Sequence, residues 1–528
     1  MSLRLAFHGA SRCVTGSCFR LETERGQLLV DCGMFQGPKT EKELNYRPFP
    51  FAPSDIGAVI LSHAHIDHSG LLPKLTRQGY RGPIFATPAT VDLAGVMLPD
   101  SAYIQEMEVE QLNRRNAGKR RPPVEPIYRL TDAAACLTQF RDTPYSTWFD
   151  PLPGVRARFW NAGHLLGSAS IEVEARDGGR TVRVLFSADI GPDYKLLQPD
   201  PTGPSDLDYI LCEGTYGDHD RIDATPENRR NVLRDEVRTA IRPHGAMLIP
   251  SFAVERAQEL ISDLVQLMNE GQLPEIPIYV DSPLADKATR VFADHAADLD
   301  HGDDLIRGLR SRNVRFTQTV EESKALDRIE EFHIVIAASG MCEAGRIRHR
   351  LKNWIWRDEA TVLLVGFQAQ GTLGRILKDG AANIRIQGEE FKVRASIRAI
   401  DLYSGHADGP ELVAWIAKRL PLRHQLFLIH GEVAALLGLQ ARLAGVLDAE
   451  RILLPAIDEA FDLTPDGARS GAEAAPPRVA PDQVGNLDWH NEVSRLVLDI
   501  DAALSSAADD KARRLIVRRL RRALEEAR

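Results

Sequence analysis

A chain of 528 residues, 44% hydrophobic and 26% charged, has the composition of a soluble globular protein too long for one ordinary domain, so two large units and a smaller appendage are expected. Its net charge of −9 argues against a broadly basic surface and confines any nucleic-acid footprint to a local patch. No apolar run reaches the ~20 residues that span a bilayer, the start MSLRLAFHGA is not patterned as a secretory leader, and six cysteines without paired spacing suit a reducing compartment, so the expected location is the cytoplasm, with no membrane partner.

From residue 1 to 208, short β-rich runs (QLLVDCG, AVILSHA, VRVLFSAD) alternate with Gly/Pro turns and a long helical candidate, ATVDLAGVMLPDSAYIQEMEVEQLNRR, which predicts an α/β layered domain. The basic stretch NRRNAGKRRPP at 113–123 reads as a solvated loop rather than an RNA contact. Directly after the apolar run at 58–60 comes HAHIDH. His63 and His65, two apart on extended chain, can point the same way, and Asp67 and His68 follow on the turn. Imidazole nitrogen and carboxylate oxygen suit Zn²⁺ or a similar borderline metal. Four such groups in six positions point to half of a metal site, and the remaining donors are sought at other strand ends. His164 in NAGHLLG is flanked by glycines that permit a sharp turn, Asp189 ends VRVLFSAD, and His430 ends QLFLIHGE.

A second α/β pattern begins near Asp208: strand DYILCEG, helix TPENRRNVLRDEVRTAIR, strand GAMLIPS, helix VERAQELISDLVQLMNEG, strand IPIYVDSP. Apolar runs followed by amphipathic helices predict parallel strands joined by helical crossovers. A third set, RASIRAIDLYSGH, PELVAWIAKRL and HQLFLIHGE, follows from about 390. TPDGARSGAEAAPPRVAPDQVGN, at 464 onward, reads as a Pro/Ala/Gly-rich linker. Two helical candidates come last, one with Val493, Leu496, Ile500 and Leu504 on a face, the other with Ile516, Leu520 and Leu524. The final 18 residues carry eight Lys or Arg, a pattern read as a solvated face.

The sequence of motifs HxHxDH, glycine-flanked histidine, strand-ending aspartate and late histidine resembles the metallo-β-lactamase superfamily. CEGTYGD, SFAVERAQE, DSPLA, ASGMCEAGRIRH, GFQAQGTLGR and YSGHAD resemble its β-CASP branch, the nucleic-acid-processing members, over roughly residues 3 to 460. The resemblance implies an αββα sandwich interrupted by an α/β domain with a parallel sheet flanked by helices. The expected divisions are 1–208 and 376–465 for the sandwich, 209–375 for the insertion, and 466–528 for linker and helical extension. It also implies two Zn²⁺ ions, with Mn²⁺ the alternative: one on His63, His65 and His164, the other on Asp67, His68 and His430, bridged by Asp189. Asp31 in LLVDCG would support the histidine loop.

Further positions carry over on the same resemblance. Glu213 matches the acidic motif A, His406 in SGHAD motif B and His430 motif C, where histidine rather than valine favours RNA over DNA. Hydrolysis of a phosphodiester needs a nucleophile, neutralisation of phosphoryl charge and a proton for the leaving oxygen. Two metals supply the first two, with Asp67 among the catalytic candidates. His406, oriented by Glu213, is the candidate general acid, weighed against a role in capping the helix that SGHADGPELVAWI opens. Arg256, Ser339, Arg346 and Arg375 are candidate substrate contacts in segments expected to face the cleft, each arginine having a surface or salt-bridge role as the plainer reading. The expected activity is endonucleolytic or 5′-exonucleolytic cleavage of single-stranded RNA, with the C-terminal helices as a homodimer or partner contact. Without the N-terminal KH-like extension of archaeal relatives, RNA preference is expected to come from the cleft or a partner. A thioesterase- or lactonase-like metallohydrolase accounts for HxHxDH but not for the insertion, and a non-catalytic RNA-binding relative would not need every ligand position filled.

Overall fold

The computed structural model describes residues 3–117, 122–177, 179–369, 371–471, 477–480, 484, 496, 500, 503–504 and 507–526. Two mixed sheets pack face to face. One has eight strands in the order Gly467–Ser470, Glu459–Thr464, Arg4–Phe7, Phe19–Thr23, Gly26–Val30, Ile56–Ile60, Ile84–Ala86, Phe140–Asp142. The other has seven: Ile452–Leu453, Leu426–Ile429, Tyr209–Glu213, Arg180–Phe186, Ala169–Asp177, Val155–Asn161, Phe149–Leu152. Phe7, Phe19, Phe159, Phe186, Phe427 and Phe461 fill the space between them, and burial of such rings is the main stabilising term of the sandwich. Helices Leu72–Arg77, Pro88–Ala117 and Leu130–Leu137 cover the eight-stranded sheet, while Gly409–Ala417 and Val433–Arg442 cover the other, giving the expected helix–sheet–sheet–helix layers.

The third sheet, in the order Val314–Phe316, Ile278–Val280, His333–Ala337, Ala246–Pro250, Ala360–Leu364, Ser396–Ala399, is parallel throughout. Along Ala246–Pro250, Met247 and Ile249 face the helices Pro226–Ala240 and Arg256–Asn269, whereas Ala246 and Leu248 face Ile347–Trp354 and Leu373–Lys378. Burial on both faces is why these strands read as unbroken apolar runs.

Strand pairing moves both expected boundaries of the insertion. Tyr209–Glu213 pairs with Arg180–Phe186 and Leu426–Ile429, so it belongs to the sandwich, and the chain departs only after Glu213. Ser396–Ala399, expected in the returning sandwich, pairs with Ala360–Leu364 and so belongs to the inserted sheet, after a separate hairpin of Asn383–Ile386 and Glu389–Lys392. A strand followed by a helix has the same pattern whichever sheet receives it, and pairing alone distinguishes them.

The stretch expected to be a linker is structured at its start. Gly467–Ser470 forms a hairpin with Glu459–Thr464. Further on, Arg478 binds Asp458 through Nε and Nη2 at 2.9 and 3.1 Å, and Val479 and Val484 are buried with Phe35 and Leu44. The Pro- and Ala-rich composition hid a docked segment whose partners lie in the sandwich. Residues 113–117, expected in a loop, continue the helix Pro88–Ala117, and Arg114 pairs with Glu110 one turn back; 118–121 lie outside the described residues. Most of the first C-terminal helical candidate also lies outside them, and the second is the helix Asp510–Glu526. No helix among the described residues is long and apolar enough to cross a membrane.

Candidate metal centre and active site

The donors converge at strand ends where the backbone turns sharply. His63 and His65 follow Ile56–Ile60, and Asp67 and His68 sit on the single turn Ile66–Ser69. Ala188, just before Asp189, has φ 52°, and His430, directly after Leu426–Ile429, has φ 48°. Asp31 has φ 60° at the end of Gly26–Val30. Left-handed conformations at non-glycine residues cost about 1–3 kcal/mol each and persist where the surroundings enforce them, commonly at functional sites. The glycines beside His164 have the expected role: Gly163 and Gly167 have φ 68° and 82°, and a Cβ on Gly167 would meet the Thr90 nitrogen at 2.6 Å. Gly405 has a different one, since a Cβ there would lie 2.8 Å from the His164 ring.

Donor atoms of His63, His65, His164 and Asp189 lie within 4.8 Å of one another, as do those of Asp67, His68 and His430, and those of Asp189, His406 and His430. Asp189 touches both halves: Oδ2 is 3.5 Å from His63 Nε2 and from His164 Nε2, and Oδ1 is 3.2 Å from His68 Nε2 and 3.4 Å from His430 Nε2. Three histidines are oriented through Nδ1, which meets Asp31 Oδ2 at 2.8 Å in His68, the Gly405 carbonyl at 2.7 Å in His164 and Thr215 Oγ1 at 3.1 Å in His430. Such outer contacts fix the tautomer and leave Nε2 as the donor. Asp31 also accepts from the Ser62 nitrogen and hydroxyl, at 2.7 and 2.8 Å, and so ties two positions of the loop.

The chemistry of this set fits a metal. His63 Nε2, His65 Nε2 and Asp189 Oδ1 are buried without a hydrogen bond, although leaving a buried polar atom unpaired costs about 1–3 kcal/mol. Burial pushes His63 and His164 well below the ordinary imidazole value and His65 down to about 4, so all three are neutral donors at pH 7. Burial also works against the charged forms of His68 and His430, but the Asp189 carboxylate outweighs it and both are raised. For Asp189 the opposing terms are burial, which raises it, and His430, His68 and His406, which together hold it well below the usual carboxylate range.

Beside this cluster, His406 Nδ1 lies 3.1 and 3.2 Å from the two oxygens of Glu213, and its Nε2 is 3.9 Å from Asp189 Oδ2. Glu213 is fully buried and held by the backbone nitrogens of Ile190 at 2.6 Å and Thr215 at 3.3 Å. His406 does not cap the following helix. Asp408 does, in a capping box with Glu411.

The four expected substrate contacts separate. Arg346 gives Nη1 to Asp281 Oδ1 and to Thr317, and Nη2 to the Gln318 carbonyl, contacts of the salt-bridge kind that tie elements of the inserted domain together. The Ser339 hydroxyl accepts from the Ala344 nitrogen at 3.2 Å and shapes its own loop. Arg256 lies over Phe252, whose ring is 6.3 Å from that of His65, and gives Nε to the Tyr403 carbonyl at 2.6 Å. Arg375 pairs with Asp379 through Nε and, with Lys378, Tyr216 and Phe367, lines a cavity of about 480 Å³ between the sandwich and the insertion. Sequence reasoning did not pick out Ser62, Thr215 or Gly405, though each lies within two residues of a singled-out position. It also passed over Lys195 and Glu255.

This fold and donor set define a metallo-hydrolase of the metallo-β-lactamase class. A model of the metallo-β-lactamase superfamily matches residues 11–227, one of the Beta-Casp domain 257–377, and one of the Zn-dependent metallo-hydrolase RNA specificity domain 390–454. Ribonuclease TTHA0252 of Thermus thermophilus is 37% identical over 452 residues, spanning 84% of this chain and 96% of its own length. An RNase J-like protein of Methanocaldococcus jannaschii is 30% identical over 81% of this chain and 92% of its own, and transcription termination factor FttA of Methanosarcina mazei 29% over 82% and 67%. The chain belongs to the β-CASP family of the metallo-β-lactamase superfamily.

Proposed function

We propose that the protein is a metal-dependent ribonuclease hydrolysing phosphodiester bonds of single-stranded RNA, internally or from the 5′ end. On this reading His63, His65 and His164 would hold one zinc or manganese ion and Asp67, His68 and His430 a second, and Asp189, in contact with both sets, would serve as a donor to either. The observation that carries it is the His406–Glu213 pair set against the donor cluster, Nε2 toward Asp189. When bound, the metals would make water acidic enough to attack at neutral pH and neutralise phosphoryl charge.

The remaining steps fall to the chain. Glu213, acceptor to two backbone nitrogens, receives the Nδ1 hydrogen of His406 and so leaves Nε2 to carry the proton needed by the leaving oxygen. Asp67, whose side chain is 21% exposed where that of Asp189 is 2% exposed, is the carboxylate open to the incoming water. The cavity by Tyr216 and Phe367 offers ring faces to bases, with Arg375 and Lys378 for phosphates, a combination suited to single strands. The names of the relatives, ribonuclease and RNase J-like protein, support the same substrate.

Incubating 5′-labelled and internally labelled RNA, duplex DNA and a thioester with the enzyme tests the reading. RNA cleavage abolished by a chelator, and reduced about 10²–10⁴-fold in kcat by His406→Ala, is expected. Cleavage that survives chelation, or thioester hydrolysis without RNA cleavage, overturns it.

A further inference from the structure

Helix Arg256–Asn269 of the inserted domain carries three acids four residues apart, Glu255 at its cap and Glu259 and Asp263 within it, exposed by only 4%, 2% and 0%. Glu255 and Glu259 meet residues 195–198 of the sandwich chain directly, and Asp263 reaches Tyr194 only through Arg229. Asp263 pairs with Arg229 at 2.9 Å, whose Nη1 reaches the Tyr194 carbonyl. Glu259 accepts from the Leu196 nitrogen at 3.4 Å. Glu255 meets Lys195 Nζ at 3.2 Å and the Gln198 amide at 2.9 Å.

The Glu255 contact reaches furthest toward the metal centre. Its other carboxylate oxygen accepts from the Leu166 nitrogen at 3.2 Å, and Lys195 Nζ donates to the carbonyl of His164 itself. Glu255 makes these contacts from a tight turn with φ 69° and ψ −63°, closed by a hydrogen bond from the Arg256 nitrogen to the Val254 carbonyl. That geometry is rare and strained for a residue with a side chain. Burial also pushes the Glu255 carboxyl up to about 7 with Lys195 beside it, so the pair is held at a cost. The same turn sends Arg256 the other way, to the Tyr403 carbonyl, two residues before the Gly405 carbonyl that orients His164.

We propose that Lys195 and Glu255 are positioning residues through which the inserted domain fixes the His164 loop, so that docking of the insertion sets how tightly the His63, His65 and His164 donors hold their ion. The proposal rests on the metal reading given above. It assigns the VERAQE turn a task distinct from substrate binding: Glu255 grips one segment that orients His164, and Arg256 grips the other.

The test is metal affinity, by competition with a chromophoric zinc chelator, in the full-length protein. Lys195→Met and the double variant Lys195→Met/Glu255→Gln are compared with wild type; the double variant leaves no unpaired buried charge and keeps the shape of both side chains, so it preserves the fold. Loss of an outer contact to a metal ligand weakens affinity by about 10- to 100-fold. That loss is expected in both variants, with the KM for RNA unchanged, kcat restored by added zinc, and Lys195→Arg restoring most of the affinity. Wild-type affinity in the folded double variant overturns the proposal. Zinc binding by wild type without RNA cleavage would remove the ribonuclease reading alone, because the affinity comparison still decides the positioning role. Absence of both zinc and manganese binding in wild type overturns both.

Discussion

The metal centre and the helix Arg256–Asn269 both bury carboxylates beside nitrogen-bearing side chains, yet they end in opposite states. At the helix, Asp263 is closed by Arg229 and by the Tyr403 hydroxyl at 2.7 Å, and Glu255 by Lys195, Gln198 and a backbone nitrogen. At the centre, the neighbours of Asp189 are imidazoles, two of which, His63 and His164, are held neutral by burial, and His63 Nε2, His65 Nε2 and Asp189 Oδ1 have no hydrogen bond. A buried acid closed by a guanidinium or ammonium completes a structure, whereas a cluster that leaves buried donor atoms unpaired is completed by something bound.

That contrast is broken most severely at Asp189. Asp189→Ala removes the one carboxylate that touches both donor sets, and RNA cleavage is expected to fall on the order of 10⁴-fold or more, because groups acting as one unit lose nearly everything together. Metal content measured on the same sample should fall with it, and retained cleavage at low metal content would remove the assignment of the cluster. Folding should be little affected, since Asp189 Oδ1 has no hydrogen bond to lose and His68 and His430, which that carboxylate raises, can shed their charge with it.

The opposite outcome is expected at the satisfied acid. Arg229→Met leaves Asp263 buried with only Tyr403, and breaking such a pair costs about 3–5 kcal/mol. Denaturant unfolding should register it, and the double variant Arg229→Met/Asp263→Asn should recover much of the loss. If the single variant is as stable as wild type, the buried pair is not what holds the helix Arg256–Asn269 to Pro226–Ala240.

A further acid, Asp458, extends the comparison to pH. Asp458 is held down to about 2: burial opposes its ionisation, and His8 and Arg478 overcome it. Its folded value lies below the ordinary 3.8, so its contribution is fully present above that value and lost as pH falls from about 4 toward 2. The contribution is on the order of 2 kcal/mol. Replacing Arg478 by methionine should flatten the acid limb of unfolding free energy against pH, and an unchanged limb would show that the docked segment at 478 does not anchor on Asp458.

How far each region can be read from sequence follows from the same difference. The donor loop is legible because ligand chemistry is concentrated in six positions after a buried strand, and because His164, Asp189 and His430 each end an apolar run. The spacing of Glu255, Glu259 and Asp263 is that of an ordinary solvated helix face, and only tertiary packing brings Lys195 and Arg229 against it. Arg346 is ambiguous in sequence for a related reason: its acid, Asp281, is 65 positions away, and nothing local distinguishes an arginine with a distant partner from one awaiting phosphate. The segment around Arg478 was obscured by composition, since a few anchoring contacts do not alter a Pro- and Ala-rich profile.

The smallest expected effect is at Arg375, which stands between the two states. Its Nε is paired with Asp379, an exposed partner one helical turn on, and an exposed pair of this kind contributes about 0.3–0.5 kcal/mol, so its charge remains available to a ligand in the cavity by Tyr216 and Phe367. Arg375→Ala should therefore leave folding and kcat nearly unchanged and raise the KM for RNA several-fold. A phosphate contact has a second signature, because each one made to a single strand contributes about 0.7 to the slope of log affinity against log salt. A variant whose slope is shallower by that amount has lost a phosphate contact. One with a raised KM and an unchanged slope has lost only the shape of the cavity wall, and Arg375 would then serve the fold rather than the phosphates.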